Sequence, residues 1–200
     1  MTVVTTEGTA ERHLRAERAT LTISPRVVTD SAAASVAAVE KIVADLAARA
    51  RALRESGDAT WHQVGTIRLS SRTVGKDDDR LEHIAQASVQ IKLQNLALVG
   101  PLTSELSAST ISVSPAWALT EATRKAHERE VRISAIAAAR VRAEDYAAAL
   151  QGKVRSVLEV SDLGAGVSSA VRGSAASAGV EVTVPEITVA GRITAKFEIS

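Results

Sequence analysis

The stretch Ala87–Gln94, ASVQIKLQ, decides the fold class. Ala87, Val89, Ile91 and Leu93 alternate strictly with Ser88, Gln90, Lys92 and Gln94. Successive side chains of a strand point to opposite faces, so this run reads as a strand with one face buried and one wet. Such a strand belongs to an antiparallel sheet covered on one side, and the cover is sought in the flanking segments. Upstream, Val36, Val39, Ile42, Val43 and Leu46 recur at the three-and-four spacing of one helical face. Asp30 or Ser31 can cap that helix, which is expected to run to about Ser56 with Gly57 ending it. Before it, Ala19, Leu21 and Ile23 alternate at the end of a strand expected over Glu11–Ser24, which Pro25 helps to stop.

Between these lies a less regular strand over Thr60–Arg72, then a solvated turn at Gly75 and Asp77–Asp79. Downstream, a short helix is expected over Leu96–Ser107 and a short strand over Thr110–Ser114. Pro115–Leu150 reads as the longest helix, with Pro115 in its first turn, where the missing donor costs little. Leu119, Ala122, Ala126, Ile133, Ile136 and Ala137 form its expected seam, and Gly152 its C-cap. Lys153–Val160 reads as a strand, and the Gly-, Ser- and Ala-rich residues 164–179 as a flexible loop. Val180, Val182 and Val184 alternate, Pro185 interrupts, and Ile193, Ala195, Phe197 and Ile199 alternate again. The chain is expected to end in a strand or a bent strand pair.

The order is β-α-β-β-α-β, then a long helix and further strands. This predicts an α+β fold: an antiparallel sheet with a split βαβ-like core, one long Ala-rich helix and C-terminal strands. One domain over residues 1–200 is expected.

Composition narrows the function. The 200 residues are 46% hydrophobic and 24% charged, so the chain can bury a real core. Only 2% are aromatic, which leaves few stacking platforms for bases, and the net charge of +1 gives no coherent basic field for nucleic acid. The absence of cysteine removes disulfides, zinc–thiolate sites and thiol catalysis. No run of about 18 apolar residues occurs, so no transmembrane helix is expected. Met1–Gly8 has neither a basic nor an apolar signal region, which points to a cytoplasmic chain.

Catalytic and ligand motifs are missing too. His13, His62, His83 and His127 lie far apart, without metal-ligand spacing. Asp77–Asp79 lacks the twelve-residue pattern of a calcium loop. Gly164-Ala165-Gly166 has Ser169 where a dinucleotide loop needs its third glycine. There is neither a nucleophile elbow nor a P-loop. Arg49, Arg51 and Arg54, and the basic residues of Arg124–Arg132, sit beside Glu and Ala as solvated helix faces do. No catalytic residue, cofactor site or metal site is expected.

The run AIAAARVRAEDYAAALQGKVRSVLEVSDL at Ala135–Leu163 resembles the long Ala-rich helix and following strand of the SIMPL-domain family. ASVQIKLQNLALVGPLTSEL at Ala87–Leu106 resembles that family's alternating strand and short helix. RAERATLTISPRVVTDSAAASVAAVEKIVADLAARARAL, near the start, resembles its first strand and helix, and ITAKFEIS its terminal strand. The resemblance covers most of the chain in the right order. The family includes periplasmic immunogenic proteins and a kinase-interacting adaptor, so it implies oligomeric assemblies, stress phenotypes and protein partners, with no catalytic residues to transfer.

The expected function is therefore a non-enzymatic, self-assembling protein. Unpaired strand edges template the addition of another copy. The terminal strand, with Arg192, Ile193, Ala195, Phe197 and Ile199, is the expected self-association edge. The alternative is an adaptor that binds a small molecule or client protein through the 164–179 loop, and behind both stands a hydrolase whose site assembles only in space.

Overall fold

The computed structural model describes residues 2–74, 80–109, 111–162, 166–168 (backbone only) and 182–200. The chain runs β1 (Thr2–Arg15), β2 (Arg18–Ser24), β3 (Arg26–Thr29), α1 (Ala32–Glu55), β4 (Ala59–Val64), β5 (Arg68–Val74), β6 (Arg80–Gln86) and β7 (Val89–Leu93). A single 3-10 turn at Leu96–Leu98 leads into α2 (Val99–Ala108), β8 (Ser112–Ala118), α3 (Glu121–Ala149), β9 (Val154–Asp162), β10 (Gly166–Ser168) and β11 (Glu186–Ile199). These pack as two compact units. One combines Met1–Ala16, Leu119–Arg172 and Pro185–Ser200; the other combines Glu17–Ala118 and Gly173–Val184.

In the second unit three long strands bend along one line. β2 passes into β3 at Pro25, β4 into β5 across residues 65–67, and β6 into β7 at residues 87–88. Backbone bonds from Ala87 N to Pro25 O and from Gly65 N to Ser88 O, 3.1 and 2.7 Å, hold the bends together. Each bent pair counts as one strand, so the chain order is β-α-β-β-α-β. The order across the sheet is then 4-1-3-2 with every neighbour antiparallel, which is the split βαβ arrangement expected from the sequence. Both helices cover the same face. Leu46 and Ala50 of α1 and Val99, Leu102 and Leu106 of α2 close over Ala19, Leu21, Ile23, Val89, Ile91 and Leu93. Val39 covers the bend beside Ala85 and Ala87. Arg49 grips Glu105 with both guanidinium nitrogens, at 2.6 and 2.5 Å, and ties α1 to α2.

In the first unit β11 lies in the middle. β1 pairs with it over its full length, from Thr2↔Ile199 to Arg15↔Glu186, and β9 and β10 line its other side. α3 lies on one face through Val131, Ala135, Ala139, Ala143 and Ala147, all buried. The approach is close enough that a Cβ on Gly8 would sit 1.8 Å from Ala135 O. The Thr6 hydroxyl, also buried, donates to Ala139 O at 2.7 Å.

Several sequence expectations are corrected. The first strand begins at Thr2 rather than Glu11, and β6 was not anticipated. Pro115 belongs to β8, not to a helix. β8 is the end strand of its sheet, where a residue without an N–H is tolerated. The long helix starts instead at Glu121, capped by Thr120, whose hydroxyl accepts from Thr123 N. Its buried stripe excludes Ile133 and Ile136, which are 58% and 40% exposed. Gln151, not Gly152, takes the positive φ of 57° after that helix. Gly152 is small for a different reason, since a Cβ there would meet Ser200 O at 2.5 Å. Glu186–Ile199 is one continuous strand. The turn at Gly75 and Asp77–Asp79 lies outside the described residues. So does most of the 164–179 loop, but its residues Gly166–Ser168 pair with β11 as a strand.

Candidate functional site

The residues expected to offer a self-association edge are on the most enclosed strand of their sheet. Arg192, Ile193, Ala195, Phe197 and Ile199 all lie in β11, between β1 on one side and β9 and β10 on the other. Ile193, Ala195 and Phe197 pack into the cluster beneath α3, and Ile199 is buried as well. Arg192 points to the opposite face and pairs with Glu7 at 2.5 Å. The terminal strand therefore has no free edge, because the amino-terminal strand already fills it.

The free edge lies one strand further out. The outer side of β9 has no partner strand among the described residues. Val157, Leu158 and Val160 are 52%, 47% and 46% exposed. Val154, Val157 and Val160 stand opposite Ile199, Phe197 and Ala195, so they share the face on which α3 lies, but only Val154 joins its core. Several other edges carry the usual protections against strand addition, but β4, the end strand of its sheet, has neither proline nor a Lys, Arg, Asp or Glu and leaves Trp61 and Val64 each 41% exposed. β8 contains Pro115, β1 carries Glu11, Arg12, His13 and Arg15, and β5 carries Arg68 and Arg72. β9 has no proline, and its charges fall in a telling pattern. Around Val157 the sequence is partly complementary to its own reverse: Val154 matches Val160 and Arg155 matches Glu159, which also pairs with Lys196 of β11 at 2.7 Å, while Ser156 falls opposite Leu158.

A second feature lies on the face of the bent sheet turned away from α1 and α2. A cleft of about 550 Å³ opens along the line of bends. It is lined by Ser24, Pro25, Arg26, Gly65, Thr66, Arg68, Gln86, Ala87, Ser88 and Ser112. Arg26 and Arg68 both stand opposite Gln86, one on each neighbouring strand, so the three form a single cross-strand row. Ser24 stands opposite Ser112 in the adjacent row.

The remaining polar groups show no assembled chemistry. No group of three potential metal ligands occurs among the described residues. His13 bonds Thr188, His83 bonds Ser71 and His127 bonds Glu130, each to a different neighbour. His62 Nδ1 and Thr103 Oγ1 are buried without partners, on different elements. Hydrogen bonds from Arg49 hold the Glu105 carboxyl below its ordinary range and raise Arg49 itself. Ser56 and Asn95 do the same to Asp58 at the end of α1, and Lys125 to Glu121 at the start of α3. Glu105 and Glu121 clamp helices, and Asp58 lies in the turn between α1 and β4. Among the described residues no helix is long and apolar enough to cross a membrane.

A split βαβ unit joined to a helix-covered antiparallel sheet defines an α+β protein with no assembled catalytic cluster among its described residues. The chain belongs to the SIMPL family, described as a protein of unknown function (DUF541), whose model matches residues 4–197. No curated protein matches it.

Proposed function

We propose that this chain is a non-enzymatic assembling protein whose contact is the pairing of β9 with β9 of a second copy. The observation that carries this is the exposed, partly self-complementary edge of β9, which has no partner strand among the described residues. Antiparallel pairing centred on Val157 sets Arg155 against Glu159 of the other copy, twice by symmetry, and Val154 against Val160. Such pairing satisfies the free N–H and C=O groups and covers Val157 and Val160. The bulges that place Arg155 and Leu158 as extra residues against β11 strengthen the local twist, which both copies share.

Solution mass by light scattering on a sizing column, across a concentration range, gives the test. The intact chain is expected to run as a dimer or a multiple of one. Arg155→Glu and Glu159→Arg each place like charges opposite one another at two points. Losing both pairs costs about 2 kcal/mol, or about thirtyfold in the association constant. An equimolar mixture of the two variants restores both pairs and is expected to regain the mass. A monomeric wild type, or variants that associate as well alone as when mixed, sinks the proposal.

A further inference from the structure

The cleft at the bends shows a second property, independent of β9. Neighbouring strands lie about 4.8 Å apart, so Arg26 and Arg68 flank Gln86 with their backbones about 10 Å from each other. Guanidinium side chains reach across that span. Neither arginine has an ion pair or hydrogen bond among the described residues. Their neighbours show what a purely structural pairing looks like. Four residues along β5, Arg72 stands opposite Glu82 and bonds it at 2.8 Å. At the row facing the cleft, the position between two arginines is held by a neutral glutamine. None of the ten lining residues is a carboxylate. Two like charges therefore share one concave surface without a counter-charge, an arrangement that favours a bound anion.

The rest of the lining narrows the ligand. Ser24, Thr66, Ser88 and Ser112 offer four hydroxyls, each able to donate and accept, and Gln86 offers an amide. No aromatic ring is present to stack a nucleobase. The volume falls in the range of small-molecule sites. Guanidinium forks match phosphate geometry, and a phosphate dianion can engage two of them at once. We infer that this cleft binds a small phosphorylated, hydroxyl-rich ligand of the sugar-phosphate class, with Arg26 and Arg68 on the phosphate and the serine and threonine hydroxyls on the carbon skeleton.

Titration calorimetry on the full chain, with glucose 6-phosphate, fructose 6-phosphate and ribose 5-phosphate as probes, tests this. At least one is expected to bind at least tenfold more tightly than inorganic phosphate and to raise the melting temperature by mass action. Arg26→Gln and Arg68→Gln are each expected to weaken that binding at least tenfold, whereas Arg72→Gln leaves it unchanged. Gln86→Glu keeps both arginines and supplies the missing counter-charge between them. It is expected to abolish binding while melting no lower than the wild type. Three results overturn the inference: no binding by any of the three sugar phosphates, equal loss in Arg72→Gln, or citrate or AMP binding as tightly as the best probe.

Discussion

Gly8 and Gly57 are glycines for different physical reasons, and substitution separates them. Gly57 follows the end of α1 with φ of +81° and nothing within 4 Å of where a Cβ would stand. A side chain there meets only the cost of the left-handed backbone, about 1 kcal/mol. Gly8 has no unusual angle, but its Cβ would fall 1.8 Å from Ala135 O and 2.7 Å from Ala139 N. Both are helix backbone atoms that cannot swing aside, so α3 as a whole has to move. Gly8→Ala is therefore expected to lose about 3 kcal/mol or more, several times the loss in Gly57→Ala. Denaturant midpoints of the two variants check this, and equal losses would mean that α3 does not sit on β1 as described. The same contact explains why Thr2–Gly8 did not read as a strand. Val4 is half-buried on the inward face, but the fully buried residues there are Thr6 and Gly8, chosen for a hydroxyl bond and for closeness, so no sustained apolar alternation marks it.

α3 carries the same lesson at the level of an element. Its helical character was plain from the alanines, but its buried face was not. Ranking positions by hydrophobicity selects Ile133 and Ile136, whereas the observed stripe of Ala135, Ala139, Ala143 and Ala147 is set by how near the sheet backbone comes. That distance depends on glycines in β1 and β11, far away in sequence, and no local period reports it. Ile133→Lys is accordingly expected to change stability by no more than about 0.5 kcal/mol. Ala139→Leu is expected to lose about 1–3 kcal/mol by overpacking. Thermal or urea unfolding distinguishes these, and the reverse order would restore the seam expected from periodicity. The position of β11 was hidden for a related reason. Its alternation showed a strand with one buried face, but a strand's rank as edge or centre depends on its partners, here β1 and β9. The cleft was hidden as well. Pro25 reads as the stop of a strand, whereas the Thr60–Arg72 strand is expected to run through Gly65 and Ala87-Ser88 to open an alternating strand, and only the pairing of the strands brings the bends into one line.

For the molecule as a whole, the order of the chain places Glu17–Ala118, the larger part of one unit, as an insertion between two segments of the other. β1 ends at Arg15 and its partner helix α3 begins at Glu121, and the split βαβ unit occupies the sequence between them. The two ends of that insert meet, since Glu17 N donates to Ala118 O at 3.0 Å and Arg18 stands opposite Ala118. A segment whose ends are adjacent and whose core is its own satisfies the conditions for folding alone. Residues 17–118 hold every buried member of the larger core cluster, from Ala19 to Leu106. Among the described residues outside this stretch, Val182 packs partly buried against that cluster and lies near Gly100. Loss of one partly buried valine costs about 1 kcal/mol, small beside the stability of a domain this size. A fragment of residues 17–118 is therefore expected to unfold cooperatively, with helical circular dichroism and dispersed amide resonances. Adding back a segment through Pro185 should raise its midpoint slightly. A fragment with helical signal but no cooperative transition would show that the split βαβ core needs the rest of the chain to pack, despite its closed ends.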